Sequence, residues 1–418
     1  MNGGRPRILV LGGGFAGLAF CQAWKNPGAD VVLVDRQNHH LFQPLLYQVA
    51  TAGLSAPEIA QPIRSILWDS PDVTVRMGDV QDILPDERTV VIDGLRERYD
   101  YLVFALGGRT SYFGHPEWEQ FAPGLKSLED AQRIRREVLT AFEHAENSND
   151  PAEQARLMTI AVIGGGPTGV ELAGAFAELA QHVLRRDFRN IDSAKARVIL
   201  IEGSPSLLAA FPEDLRQNAR ETLEGMGVEV RCNTRVQSIS KGRVQLQSGE
   251  EIAVENIIWA AGVAASPLTA KLGGPMDRAG RVLVNPDMSV PGRPEIFVVG
   301  DACSIVDVDG QPVPGVSPAA MQAGRHVAAI IASEIEGAPD RKPFDYWDKG
   351  SMATIGRSAA VANVQGLHLT GFVAWLGWLF IHLVFLVGFR NRVAVLWQWF
   401  YSYLTYKRGA RIITGRPR

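Results

Sequence analysis

Cysteine is nearly missing from these 418 residues: only Cys21, Cys232 and Cys303 occur, one in each of three separate stretches. There is no CxxC pair, no Cys/His cluster with metal spacing and no even-numbered framework of the secreted kind. That pattern argues against a dithiol centre, a zinc or iron–sulfur site and a disulfide scaffold. An export signal is also lacking. Ile8–Leu11 is a short apolar strand running into a glycine turn, without a long apolar region or a small-residue cleavage site, so a cytoplasmic body is expected. The third absence is acid at the far end. From Lys349 to Arg418 there are nine Lys or Arg and no Asp or Glu, so the rest of the chain carries 33 basic against 45 acidic side chains. The net charge of −3 therefore hides an acidic body, with no footing for nucleic acid, and a basic, aromatic tail. An apolar content of 46% with 21% charged residues, 42 Gly and 24 Pro excludes disorder, collagen-like repetition and a polytopic membrane protein. The length leaves room for two or three domains.

What is present is a duplication. The strand Ile8–Leu11 runs into Gly12-Gly13-Gly14-Phe15-Ala16-Gly17, a GxGxxG turn, followed by a helix-compatible stretch and a strand, Val31–Val34, ending at Asp35. Thr159–Ile163 runs likewise into Gly164-Gly165-Gly166-Pro167-Thr168-Gly169, and the strand Val198–Ile201 ends at Glu202. Each copy continues to an apolar strand ending in glycine, Leu102–Gly107 and Ile257–Gly262. The offsets, 95 residues from Gly12 to Gly107 and 98 from Gly164 to Gly262, nearly agree. Two homologous βαβ domains are the expected fold. The first glycine permits the tight turn, the second lets the backbone approach a pyrophosphate, and the third lets the helix pack close to the sheet. The terminal acid can accept hydrogen bonds from a ribose diol.

The second copy departs in one respect. Its acid falls 38 residues after Gly164, against 23 after Gly12, with the surplus in Leu179–Ala196. A longer helix plus a charged loop would absorb that insertion. Because Glu202 is followed by Gly203 and Ser204 rather than arginine, its carboxylate would repel a 2′-phosphate and favour NADH over NADPH. A third strand, Glu295–Val299 running into Gly300-Asp301, reads as the chain returning to the first domain and presenting Asp301 to a flavin's ribityl chain.

These residues resemble the two-dinucleotide-binding flavoproteins and, within them, the type II NADH:quinone oxidoreductases, over roughly Arg7 to Thr414. The most specific element is Asn38-His39-His40-Leu41-Phe42-Gln43-Pro44-Leu45-Leu46-Tyr47-Gln48-Val49-Ala50-Thr51, which the family places along the FAD near the quinone entry. Gly169-Val170-Glu171-Leu172-Ala173-Gly174 opens the NADH-site helix. Its Glu171 is similar to an acid near the nicotinamide, with a helix-dipole carboxylate as the bland alternative. In Gly315–Gly324 the chain keeps Gln322 but has Ser317-Pro318 where the family often shows an Ala-Gln pair.

The resemblance implies an FAD-binding domain at 1–115 and 280–340, an NADH-binding domain at 116–279 and a membrane-anchoring, dimerising region at 341–418. FAD would contact Gly12, Gly14, Phe15, Ala16, Gly17, Asp35, Arg36, Gln43, Thr51, Val80, Ala105, Gly107 and Asp301. NADH would contact Gly164, Gly166, Pro167, Thr168, Gly169, Glu202, Ala261 and Gly262, and the quinone Gln48 and Gln322. Glu171 and Gln322 are the expected catalytic residues.

In the tail, Gly371–Phe389 has nineteen residues without formal charge, interrupted by Arg390-Asn391-Arg392, and Val393–Tyr406 is apolar except for Gln398, Ser402 and Thr405. Those three make one polar stripe on a helix. Four of the nine Trp and three of the eight Tyr lie between Trp375 and Tyr406, with Lys407, Arg408 and Arg411 placed to meet anionic lipid. A single span, a buried hairpin at a dimer interface and a monotopic anchor in one leaflet all fit. The resemblance favours the last, on the cytoplasmic face of the membrane and with homodimerisation. His382 reads as a packed histidine. With no chain of intramembrane acids, proton pumping is not expected. The rivals are a sulfide:quinone reductase, which needs paired cysteines, a ferredoxin- or apoptosis-inducing-factor-like reductase, and a dinucleotide-binding redox sensor without turnover.

Overall fold

The computed structural model describes residues 5–405 and 409–414. Tyr406, Lys407, Arg408, Arg416 and Arg418, counted above in the aromatic and basic tail, lie outside the described residues. Two compact units emerge: Met1–Leu41 with Ala60–Arg109 and Val263–Asp348, and Phe42–Ile59 with Thr110–Gly262 and Lys349–Arg418.

In the first unit, β1 (Arg7–Leu11), β2 (Asp30–Asp35), β3 (Val73–Met77) and β4 (Tyr101–Phe104) lie parallel in the order β3-β2-β1-β4. Arg293–Val298 adds beside β4 in parallel register, Ile296 facing Leu102. The chain thus returns to the first sheet as the third apolar strand implies. β1 is a continuous apolar run because both faces of the sheet are covered. Ile8 and Val10 pack with α1 (Phe15–Ala23) and the helix Ser317–Ile335, whereas Leu9 and Leu11 pack with Ile83, Val90 and Ile92 of a small antiparallel sheet. The two helices meet closely, since a side chain at Gly324 would strike the Ala16 carbonyl at 2.1 Å.

The second unit repeats the order. β5 (Thr159–Ile163), β6 (Arg197–Ile201), β7 (Val228–Arg231) and β8 (Asn256–Trp259) form a parallel sheet β7-β6-β5-β8. Against it and beside it lie α2 (Leu46–Ala50), α3 (Leu128–Asn147) and α4 (Pro167–Glu178). A reciprocal capping box between Ser127 and Asp130 starts α3. The long connection to Glu202 is absorbed as expected of a helix extension plus loop: α4 continues into one π turn, Leu179–Val183, and a short 3-10 turn, Ser193–Lys195, precedes β6.

The tail holds an element that its hydropathy conceals, a three-stranded antiparallel sheet of Ser351–Thr354, Ala360–Val364 and Leu367–Thr370. Two helices follow, α5 (Gly371–Phe385) and α6 (Phe389–Thr405). The break falls at residues 386–388, not at Arg390–Arg392, which lie in the opening turns of α6. Gly388 supplies the turn with φ +88°, and Arg392 Nε donates to the Leu386 carbonyl at 2.8 Å. Among the described residues no helix is long and apolar enough to cross a membrane, which removes the single-span reading. A 15-residue α5 reaches about 22 Å at the helical rise, against a hydrocarbon core of about 30 Å.

The compact units divide the chain differently from the cofactor-domain boundaries given above. Residues 42–59 and 349–418 cluster with the second sheet, and 263–279 and 341–348 with the first. The cause is packing: α2 lies on α3 and α4, and α4 lies so near the Ser351–Thr354 strand that a Cβ at Gly174 would sit 2.7 Å from the Gly356 nitrogen.

Candidate functional site

Each parallel sheet ends in the same turn. Gly12 has φ +102° and Gly164 φ +114°, conformations that L side chains avoid, and a Cβ on Gly12 would lie 2.3 Å from the Ala105 carbonyl oxygen. The acid closing the second strand reaches back to its own turn. Asp35 accepts from the Gly13 amide at 2.6 Å and the Gln37 amide at 2.7 Å; Glu202 accepts from the Gly165 amide at 2.5 Å and the Ser204 amide at 2.6 Å. Both carboxylates thus brace the loop, and each oxygen keeps a further lone pair for a ribose hydroxyl. Gly14 and Gly166 cap α1 and α4 without a side-chain hydrogen bond, and a Cβ on either would meet nothing within 4 Å. The first-turn N–H groups therefore face open space, as a pyrophosphate requires. Pro167 sits in the first turn of α4, where its missing N–H costs nothing, with Thr168 next to it. A Cβ on Gly17 or Gly169 would overlap the carbonyl of its own first glycine, which is what close helix–turn packing demands.

In the first unit, Ala16 is buried behind the turn and Phe15 meets His40 edge-on at 5.0 Å. The Ala105 amide donates to the Leu11 carbonyl at 2.8 Å, and Gly107 follows with φ +64°. Arg36 is exposed, Val80 is half-buried at the start of a strand, and Asp301 lies in the one-turn helix Gly300–Ala302 after the returning strand. His40 is a site residue that pattern reading leaves without a role. Buried at 3% exposure, it sits with Nδ1 3.0 Å from the Gly13 carbonyl. A carbonyl only accepts, so Nδ1 carries the proton and the ring pins the middle of the glycine turn. Burial lowers its pKa, keeping it neutral.

In the second unit, Gln43 is exposed and donates to the Lys126 carbonyl at 3.3 Å, while Thr51 is buried with its hydroxyl on the Tyr47 carbonyl at 3.0 Å. Ala261 and Gly262 follow β8, and the Phe113 ring stands over Gly262, where a Cβ would be 2.6 Å from it. Glu171 is not in the first turn of α4, and its pKa is raised to about 8 because burial outweighs the N–H donated by Thr354. Its place beyond the first turn of α4 sets it apart from the stretch where the N-terminal dipole acts most strongly.

The same unit holds an open cavity of about 60 Å³, lined among others by Tyr47, Gln48, Thr51, Arg357, Trp399 and Tyr403. Gln48 donates to the Tyr47 hydroxyl at 2.9 Å and accepts from the Trp399 indole at 2.8 Å. The Arg357 guanidinium lies 4.6 Å over the Tyr403 ring. Gln322, expected at the quinone, is otherwise engaged: its amide both donates to and accepts from the backbone of Trp347, at 3.0 Å each way, in the first unit. A direct ligand contact would need that ring to open.

The tail helices are amphipathic in an inverted sense. Ala374, Trp375, Trp378, Val395 and Trp399 are buried, whereas Phe372, Val373, Leu376, Phe380, Leu396, Trp397 and Phe400 are exposed, Phe380 at 68% and Trp397 at 66%. His382 is packed as expected, stacked on Trp378 and hydrogen-bonded to its carbonyl at 2.7 Å, and burial lowers its pKa to about 4. Arg411, expected to meet lipid, instead pairs with Asp187. The three cysteines are free thiols, and burial raises each pKa, that of Cys303 to about 12. Reactive thiols sit at the opposite end of that range. Among the described residues there is no His/Cys/Asp/Glu group suited to a metal ion.

Comparison with known proteins agrees with this geometry. Residues 6–324 match the family described as pyridine nucleotide-disulphide oxidoreductase, and residues 348–407 match the NDH2 C-terminal domain. Two relatives from Mycobacterium tuberculosis, named type II NADH:quinone oxidoreductase Ndh and NdhA, are 42% and 44% identical. Their alignments cover 99% of this chain and 91% and 90% of the relatives. A demethylphylloquinone reductase, NdbB, from Synechocystis is 32% identical over 96% of both chains. The structure of NDH2 from Plasmodium falciparum in complex with NADH superposes with a TM-score of 0.89 at 20% identity, covering 97% of this chain and all of that one.

Proposed function

Since the chain belongs to the type II NADH:quinone oxidoreductase family, we propose that it oxidises NADH through FAD and reduces a membrane quinone to quinol without pumping protons. The observation that carries this reading is the repeated turn: two parallel sheets of one strand order, each ending in a positive-φ glycine braced by its own acid.

In this reading the FAD residues are Gly12, Gly14, Phe15, Ala16, Gly17, Asp35, Arg36, Gln43, Thr51, Val80, Ala105, Gly107 and Asp301. NADH is held by Gly164, Gly166, Pro167, Thr168, Gly169, Glu202, Ala261 and Gly262. Bound FAD supplies the two-electron chemistry, accepting a hydride and passing the electrons on. The chain binds and orients. The helix N-termini of α1 and α4 hold pyrophosphates, Asp35 and Glu202 select ribose diols, and Glu202 turns away a 2′-phosphate. Glu171, on the NADH-site helix α4 and with its pKa raised to about 8, is a neutral donor rather than a charge over much of the neutral range. Gln48 and Gln322 are proposed at the quinone. The exposed apolar face of α5 and α6 is proposed to lie in one leaflet on the cytoplasmic side, with a second copy packing through the same region. Arg390, exposed in the first turn of α6, then faces anionic headgroups.

The test is anaerobic. NADH should bleach the flavin band of the purified protein, and a short-chain quinone should restore it. A colourless protein, or a flavin that NADH leaves oxidised, overturns the proposal.

A further inference from the structure

Trp399 has an indole N–H and no acceptor, so wherever it meets a carboxamide it must face the oxygen. At 2.8 Å it therefore fixes Gln48 with Oε1 toward α6 and Nε2 toward Tyr47. Nε2 can only donate, so at 2.9 Å the Tyr47 oxygen must accept. That leaves the phenol's own proton to be given elsewhere, and among the described residues no acceptor takes it. Tyr47 is 7% exposed, and it lines the cavity together with Gln48, Thr51, Arg357, Trp399 and Tyr403. We infer that the Tyr47 hydroxyl is a directed hydrogen-bond donor to a carbonyl oxygen of the quinone, and that Gln48 and Trp399 are positioning residues which aim it. This rests on the reading that a quinone is the acceptor.

Three features support the assignment. The proton at issue is securely present, because burial above all holds the Tyr47 pKa well above its ordinary value. The cavity wall carries three aromatic rings (Tyr47, Trp399, Tyr403), which suits a flat ring, beside the polar side chains of Glu178 and Arg357. Trp399 belongs to α6, whose other face carries the exposed Leu396, Trp397 and Phe400. One helix thus presents apolar surface outward and sets the donor inward. The assignment also revises the part played by Gln48: its amide is committed to Tyr47 and Trp399, so it acts on the quinone through the phenol. No proton changes hands in this step; the hydroxyl binds and polarises a carbonyl.

The experiment uses the full-length, FAD-loaded protein with NADH and a short-chain quinone. Tyr47→Phe should lower kcat/KM for quinone roughly fivefold to tenfold, the span expected for one hydrogen bond between neutral groups, while KM for NADH stays within about twofold. Gln48→Glu should produce a similar loss, because a carboxylate accepts from both the Trp399 N–H and the Tyr47 O–H and turns the phenol proton away from the cavity. Combining the two should cost no more than the worse single change, since both remove one interaction. The carbonyl stretch of bound quinone should lie below the free value in the parent and return toward it in both variants. Flavin content and the melting temperature identify a Tyr47→Phe protein that fails to fold, in which case Gln48→Glu and the carbonyl stretch decide. Quinone kcat/KM within twofold of the parent in both variants, or an unshifted carbonyl in the parent, would overturn the inference. A loss that appears equally in KM for NADH would also overturn it, placing the donor at the nicotinamide amide instead. If NADH-reduced flavin in the parent is not reoxidised by quinone at all, the functional reading fails, a result distinct from these.

Discussion

Glu171 and Glu202 are carboxylates of the same unit with opposite surroundings. Glu202 accepts two backbone N–H groups in an open turn, whereas Glu171 is enclosed and its pKa rises to about 8. Between 4.5, its ordinary value, and about 8 the folded protein holds a proton that the unfolded chain has released. Stability therefore falls as pH rises through that window and levels off above it. Glu171→Gln should remove this slope, so that the variant melts higher than the parent at pH 9 and the difference shrinks toward pH 4.5; parallel melting curves would contradict the assignment. Glu202→Gln should narrow the preference for NADH over NADPH by roughly fivefold to tenfold, the effect of one charge near a phosphate in a solvated site. An unchanged ratio of kcat/KM values would show that the preference arises elsewhere. His40 shows the limit of reading residues singly. It stands in a recognisable stretch, yet its task of pinning the Gly13 carbonyl depends on a fold that brings residues 13 and 40 together.

At the scale of elements, α5 and α6 carry their charge-free sequence on two faces that hydropathy alone does not separate. The inward face buries Trp375, Trp378, Val395 and Trp399; the outward one leaves Phe380 and Trp397 two-thirds exposed. Phe380→Asp with Trp397→Asp should weaken binding to anionic vesicles by about a hundredfold or more, since fully burying each ring is worth about 1.5–3 kcal/mol. Flavin content should not change. Cosedimentation with vesicles measures this, and undiminished binding would show that the face lies elsewhere than in lipid. The helix break was misplaced by sequence because Arg390 and Arg392 look like an interruption. In the structure Gly388 makes the turn, and Arg392 reaches back to hold the end of α5.

For the whole molecule, the tail proves to be more than an appendage. Read as sequence, residues 371–418 are an apolar, basic anchor whose deletion would release the protein from membranes and spare FAD binding. The structure instead shows Trp375, Trp378 and Trp399 buried, with Trp399 walling the cavity and hydrogen-bonded to Gln48. Truncation before residue 371 should therefore detach the protein from membranes and also lower its melting temperature and its quinone kcat/KM. A truncated protein with parental quinone turnover would mean that the cavity plays no part in it. Much of the plan was legible beforehand: both glycine turns, both acids, the long insertion and the return of the chain at Asp301 are local patterns that repeat at near-constant spacing. A turn, its helix and its strand lie within some forty residues of one another, so steric preference and burial write them directly into composition. The orientation of the Gln48 amide could not be read that way. It depends on an indole 351 positions away in the chain and on the fact that this indole can only donate. So the sequence by itself determined two dinucleotide turns and an apolar tail. Only the tertiary structure decided that a tryptophan of that tail points a tyrosine's proton into a cavity, because the direction of a hydrogen bond belongs to the set of groups packed around it.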